Sequence, residues 1–176
     1  MRLIYHFYSL LLSLFLHREL FPQELPVTIK EVSDGDSLVV QLFGRTERVR
    51  LAFIDAPEIG QRSLDQKVEA GEFAKSCLKR LASKTMSMQW LGRDIYGRVL
   101  GRFYDLEIKL LEAGCVSVYG PTVHLCPECW RARERAMRAR RGLWKYGGLM
   151  RPSVYRALSK KKARSKRALI LGRKKS

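Results

Sequence analysis

From Pro26 to Tyr104 the apolar residues fall in short alternating runs separated by turn residues. Val27, Ile29 and Val32 mark a first strand over Pro26–Val32, closed by the turn signal Asp34-Gly35. Ser37–Phe43 predicts a second strand, with Gly44-Arg45 as its hairpin turn. Glu47–Ile54 predicts a third, in which Val49, Leu51 and Phe53 alternate with Arg48, Arg50 and Ala52. That period of two sets Arg50 on the face opposite the apolar residues. Pro57 ends the strand pattern, and residues 59–65 read as a polar loop. From Gln66 to Ser83 the period becomes helical, with Phe73, Cys77 and Leu81 four apart and Ala74, Leu78 and Ala82 beside them. Thr85–Leu91 and Val99–Tyr104 predict a fourth and a fifth strand, joined by Gly92–Arg98. Leu106–Ala113 predicts a short helix closed by Gly114, residues 115–127 a loop, and Glu128–Arg141 an arginine-rich helix. Trp130, Met137 and Trp144, at heptad spacing, are the expected buried stripe of that last helix.

Three strands, a helix, two strands and two helices make a mainly β chain with flanking helices (α+β). The expected fold is a five-stranded OB-type barrel with about three helices. Gly147-Gly148 and Pro152 mark a boundary, so the barrel domain is expected over 25–148, with a basic tail over 149–176 that has little to bury. No internal repeat is visible.

Charge sharpens this picture. The 176 residues carry 34 Lys plus Arg against 17 Asp plus Glu, a formal net charge of +17. Arg151–Ser176 holds 11 of those cations and no acid, so the preceding 150 residues are only modestly basic. Such an imbalance favours a polyanionic partner, nucleic acid before an anionic membrane surface. The tail has three readings: a non-specific grip on substrate, a tether to anionic lipid, or a solvated solubility tail.

At the other end, Arg2 precedes Leu3–Leu16, a mostly apolar run of 14. It is short for a membrane span and suits the core of a signal peptide. His17 and Arg18 follow at once, and no small-x-small cleavage site precedes Pro22, so an uncleaved anchor is a second reading, with membrane association through the N-terminus. An amphipathic helix packed on the domain is a third. Residues 1–24 are therefore read as a signal peptide or membrane anchor, and the protein is expected to be secreted, periplasmic or membrane-anchored. The four cysteines, Cys77, Cys115, Cys126 and Cys129, permit two disulfides in an exported chain. His124-x-Cys126-x-x-Cys129 with Cys115 also has the ligand types of a zinc site, and free thiols are the remaining reading.

The chemistry-bearing residues cluster at strand ends. Asp36 opens the second strand and Asp55 closes the third. If those strands pair, their carboxylates converge, and two carboxylates with a backbone carbonyl and waters suit a hard divalent cation. Glu58, held next to the rigid Pro57, has the chemistry of a general base for an attacking water. Arg50 and Arg98 can each bond two phosphate oxygens at once, as lysine cannot. Each residue alone has an ordinary structural explanation: a turn for Asp34 and Asp36, a solvated surface for Glu58, a cross-strand ion pair for Arg50, a turn charge for Arg98. Their combination on one small barrel points to phosphodiester chemistry.

The motifs Asp34-Gly-Asp36-Ser, Arg50-Leu-Ala-Phe-Ile-Asp55-Ala-Pro-Glu58, Tyr96-Gly-Arg98 and Arg141-Gly-Leu-Trp144 resemble those of the staphylococcal nuclease (thermonuclease) family, in the right order over about residues 26–145. That resemblance implies an OB barrel with flanking helices and Ca²⁺-dependent cleavage of DNA and RNA that leaves 3′-phosphates. It places Asp36 and Asp55 as calcium ligands, with Ala56 contributing its backbone carbonyl. Arg50, Glu58 and Arg98 match the catalytic set. Tyr119 matches a tyrosine packing near the 5′ side of the substrate, and Tyr96 is assigned to substrate binding with it. Four features depart from the family pattern: Ser117 stands where a second tyrosine is expected, Ile95 where a phosphate-meeting lysine is expected, the loop after Glu58 is shorter, and the Cys126/Cys129 loop is extra. The implied partner is DNA and/or RNA. No protein partner is implied, and a monomer is expected. The alternative is a catalytically inactive OB module that binds single strands through its basic helix and tail; such a module has no need of Glu58.

Overall fold

In the computed structural model, residues 24–152, 154–161 and 164 are described. The N-terminal apolar run and the last residues of the tail lie outside this range. Among the described residues no helix is long and apolar enough to cross a membrane.

Five strands close into a barrel: β1 (Glu24–Val32), β2 (Ser37–Leu42), β3 (Arg45–Leu51), β5 (Thr85–Arg93) and β6 (Val99–Arg102). Their order around the barrel is β1-β2-β3-β6-β5, and β5 returns to β1. The β3–β6 pair is parallel and the others antiparallel. Alternation fills the interior: Val27, Leu38, Val40, Leu42, Val49, Leu51, Met88 and Val99 are all buried there. Gly101 is required where β6 crosses this filling, since a Cβ would sit 2.5 Å from the Met88 sulfur and 2.8 Å from Val49.

Two strand boundaries differ from expectation. The second strand stops at Leu42, and the hairpin turns on Phe43 and Gly44, both at positive φ. The third stops at Leu51, because Phe53 adopts φ 64° and folds the chain out of the barrel. The next two residues form a separate strand β4 (Ile54–Asp55), paired with β7 (Ser117–Val118) inside the segment expected to be a loop. This bend carries Asp55 away from the β3 axis, so apolar alternation alone could not place it.

Three α-helices cover the barrel: α1 (Ala70–Leu81), α2 (Tyr104–Glu112) and α3 (Pro127–Arg138). The first starts four residues later than the periodicity suggests. Gln66 has φ 61°, and residues 61–69 form their own hydrogen-bonded loop, with Ser63 Oγ donating to Asp65 at 2.7 Å. The expected stripe of α3 is corrected. Cys129, Ala132 and Ala136 face inward, while Trp130 is 46% and Met137 36% exposed. Small residues let α3 lie close against α2, and the two tryptophan rings instead flank the Arg133 guanidinium, at 4.9 and 5.2 Å. In the tail, most described residues are exposed, yet it is not without structure. Pro152 is buried and residues 154–161 are helical.

All four cysteines are paired, Cys77 with Cys115 and Cys126 with Cys129, which leaves no thiolate for zinc and no free thiol. The first bridge ties α1 to the chain beyond α2 across a sequence separation of 38; the second spans three residues. By loop entropy, replacing Cys77 and Cys115 together with alanine should cost about 4 kcal/mol, and replacing Cys126 and Cys129 less than half of that. Urea unfolding of the two double variants checks the ranking.

Glu107 is 2% exposed, and its carboxylate accepts from the Phe103 N–H, with its two oxygens at 2.9 and 3.0 Å. Burial pushes its pKa up to about 7, against the pull of that hydrogen bond. The folded state therefore holds the proton more tightly than the unfolded chain. The resulting stabilisation is complete below the ordinary glutamate pKa and is lost as pH rises through about 7. Between these limits the wild type should lose on the order of 3 kcal/mol relative to Glu107→Gln. Denaturant midpoints of both proteins across that range test it.

Candidate active site

The site lies where the β3–β4 bend meets the start of β2. In the Ser33–Ser37 turn, the Asp36 N–H donates to Asp34 Oδ1 at 2.9 Å. This is an Asx-type turn, so Asp34 shapes the loop and leaves Asp36 to point inward. Ser37 Oγ donates to Asp36 Oδ1 at 2.9 Å, and the Ala56 N–H donates to Asp36 Oδ2 at 3.1 Å.

Arg50 stands at the centre. Its Nη2 lies 3.3 Å from Asp36 Oδ2 and 3.2 Å from Asp55 Oδ1. Its Nη1 donates to the carbonyls of Leu51, at 3.2 Å, and Ile54, at 3.3 Å. Its guanidinium lies 5.0 Å from the centroid of the Tyr119 ring. Tyr119 is itself placed by the bend, since its N–H donates to the Phe53 carbonyl at 2.7 Å. Glu47, three residues away on β3, is bound elsewhere, by both terminal nitrogens of Arg93.

Arg98 approaches from the β5–β6 loop. Its Nε donates to Asp94 Oδ2 at 2.8 Å, and its Nη1 donates to Ser37 Oγ at 3.4 Å. Ser37 thus links Arg98 to Asp36. Tyr96 is exposed on the same loop, its ring centroid 5.8 Å from the Arg98 guanidinium. Arg50, Arg98, Tyr96 and Tyr119 line one open cleft of about 810 Å³.

Glu58 sits on the rim next to Asp55, close enough for its charge to raise the pKa of that aspartate. Its N–H donates to Gln61 Oε1 at 3.1 Å, and its carboxylate pairs with Arg156. Gln61 is 1% exposed and also donates from Nε2 to the Met150 carbonyl at 2.8 Å. Close packing on α1 fixes both acidic loops. A Cβ on Gly35 would lie 2.6 Å from Ala74 Cβ and 2.7 Å from Ala56 Cβ, and one on Gly71 would overlap the Glu58 carbonyl.

All eight residues expected from the sequence therefore meet here: Asp36, Arg50, Asp55, Ala56, Glu58, Tyr96, Arg98 and Tyr119. Four contributors were not read from the sequence: Ser37, Gln61, Arg156 and Asp94, which holds Arg98. Ser37 adjoins Asp36 in a motif already singled out. A lone glutamine in a polar loop and an arginine in a cationic tail carry no local signal, which is why Gln61 and Arg156 escaped notice.

The electrostatics suit a cation. Burial pushes the Asp36 carboxyl up to about 6 and raises that of Asp55, with Arg50 opposing both shifts. Two desolvated carboxylates sharing one guanidinium are under-compensated, so a hard divalent ion would favour their ionised forms. Among the described residues no group of three or more His, Cys, Asp or Glu side chains converges as a metal site. A cation here would be completed by backbone oxygen and water, a donor set that Ca²⁺ or Mg²⁺ accepts and zinc does not favour.

A family model described as staphylococcal nuclease homologue matches residues 48–146. An Escherichia coli protein described as an uncharacterized endonuclease is 30% identical over 134 residues, covering 73% of this chain and 82% of its own. A counterpart from Escherichia coli O157:H7 has the same description, identity and coverage. An uncharacterized protein of Bacillus anthracis is 31% identical over 135 residues, covering 69% of this chain and 62% of its own.

Gly71→Ala should destabilise the fold by about 1–3 kcal/mol, because the added methyl meets backbone that cannot rotate away. Gly44→Ala is the comparison: its positive φ strains the variant, but nothing lies within 4 Å of the added carbon. Thermal unfolding of both variants, with amide exchange at Glu58 and Ile59, separates overlap at the site from turn strain.

Proposed function

This chain belongs to the staphylococcal nuclease family, and from that premise we propose that it is a calcium-dependent nuclease hydrolysing phosphodiester bonds in DNA and/or RNA. One observation carries the reading. A single guanidinium, Arg50, pairs with both Asp36 and Asp55 and lines the cleft shared by Arg98 and by Arg156, the partner of Glu58.

Asp36 and Asp55, with the Ala56 backbone carbonyl, would hold the ion. When bound, Ca²⁺ supplies Lewis-acid polarisation of the scissile phosphate and charge compensation. The chain's own groups do the rest. Glu58 takes a proton from the attacking water as the new P–O bond forms. The bond from phosphorus to the 5′ oxygen breaks, that oxygen takes a proton from solvent water to leave as a 5′-hydroxyl, and the other product is a 3′-phosphate. Arg50 and Arg98 donate to the non-bridging oxygens as charge grows on them. They are held in advance by the Leu51 and Ile54 carbonyls and by Asp94, so little reorganisation is needed at the moment of reaction. Tyr119 and Tyr96 offer ring faces to the nucleosides on either side.

The two disulfides support export to an oxidising compartment, in keeping with the signal-like N-terminus. A single-strand-binding module without catalysis would use the same cleft, but it assigns no role to a carboxylate beside the aspartates.

Arg98→Ala should lower kcat about 10²–10³-fold. Glu58→Gln should remove most turnover while oligonucleotide binding persists. Both are read with plasmid and RNA substrates in Ca²⁺ at matched folding. A chelator should stop the wild type, and calcium should restore it. Equal turnover by Glu58→Gln and wild type would remove the general base from the mechanism.

A further inference from the structure

Beyond the barrel, the chain turns back over the site. The Leu64 N–H donates to the Gly148 carbonyl at 3.3 Å, Gln61 Nε2 to the Met150 carbonyl at 2.8 Å, and Tyr155 Oη to the Gly60 carbonyl at 3.1 Å. Buried Pro152 anchors the segment between these contacts. All three bonds end on the loop that follows Glu58. The helical segment 154–161 is therefore fixed to the acidic rim of the cleft that Arg50 and Arg98 also line.

That anchoring brings the Arg156 guanidinium to the Glu58 carboxylate and within range of the charges of Asp55 and Asp36. Its side chain is 48% exposed and lines the same cleft as Arg50, Arg98 and Tyr119. Of the other guanidiniums that line the cleft, three have structural partners that catalysis does not claim: Arg50 bonds backbone carbonyls, Arg93 bonds Glu47 and Arg98 bonds Asp94. Arg156 differs, because its partner is the residue that must turn toward water.

We infer that Arg156 is a substrate-binding residue, a third guanidinium that grips a phosphate of the nucleic-acid strand next to the scissile one and rests on Glu58 when no strand is present. The inference rests on the nuclease reading of the cleft. A strand laid between Tyr96 and Tyr119 brings successive phosphates past the rim, and one of them replaces Glu58 as the anion facing Arg156. Exchange of one anion for another leaves the guanidinium paired throughout and releases the Glu58 carboxylate for the water. The charge in the tail thereby gains a defined place at the reacting centre, rather than only a diffuse attraction for polyanions.

The test uses the full chain and a fluorescently labelled single-stranded DNA oligonucleotide, with chelator present to prevent cleavage. Binding is followed by anisotropy through a salt series. Arg156→Ala should weaken binding about tenfold and lower the slope of log K against log salt by roughly 0.7, the value for one phosphate contact on a single strand. Arg156→Lys should restore the slope. Arg156→Gln repeats the charge loss at nearly constant length, and thermal unfolding matches the variants for folding. In Ca²⁺, Arg156→Ala should raise KM for the oligonucleotide without raising kcat. An unchanged salt slope in both Arg156→Ala and Arg156→Gln overturns the inference. So does a rise in kcat, since Arg156 would then be a latch on Glu58 and not a grip on substrate. A wild type that binds but never cleaves ends the nuclease reading, and the salt slopes still decide whether Arg156 meets a phosphate.

Discussion

The Arg50 guanidinium is the junction through which the site is built. It reaches two carbonyls, two carboxylates and an aromatic face, and each belongs to a different part of the chain turn. Leu51 and Ile54 are the two sides of the bend that ends β3. Asp36 comes from the turn before β2, and Tyr119 from the far side of β7. Removing this group would leave two buried carboxylates facing each other and two carbonyls without their donor, each costly in a desolvated setting. The guanidinium therefore acts as a structural tie before any substrate arrives.

Around that junction, close packing takes over from polar contact. Gly35 and Gly71 let the two acidic loops press onto α1, one against Ala74 and the other through the Glu58 carbonyl. Gln61 then ties the backbone of Glu58 to Met150, so the rim of the cleft is braced from inside by a buried amide. The long-range disulfide from α1 to Cys115 fixes the same helix to the segment that supplies β7. The barrel, the covering helix and the C-terminal segment consequently share one set of constraints. A change of volume at α1 is felt at the acidic rim.

Electrostatics set the division of labour among the basic residues. The arginine-rich face of α3 spends part of its charge on internal stacking, with Arg133 between Trp130 and Trp144. Arg93 and Arg102 are bound by Glu47 and Glu128 at the barrel surface. Five arginines, Arg48, Arg50, Arg93, Arg98 and Arg156, line the cleft, and Asp36, Asp55 and Asp94 pair with two of them. This mixture of acid and base in one depression fits hydrolysis better than storage of a strand.

Alternation of apolar residues was enough to read the barrel strands, and three short motifs were enough to single out seven of the eight candidate residues that the fold brings together; Tyr119 came only from the family resemblance. Those features are local: a period of two needs only neighbours, and a motif needs only its own few residues. Tertiary structure decided the rest. The exit of the chain at Phe53, the separate β4–β7 pair, the inward turn of Cys129, Ala132 and Ala136 in place of Trp130, and the arrival of Arg156 at Glu58 all depend on groups dozens of residues apart competing for the same space or charge. Helical period cannot say which face of α3 meets α2, because a small residue is chosen there for how closely the helices approach. Nor can a run of lysines and arginines say which one finds a carboxylate, because that pairing is fixed only when the backbone around Gly60, Gln61 and Met150 has folded.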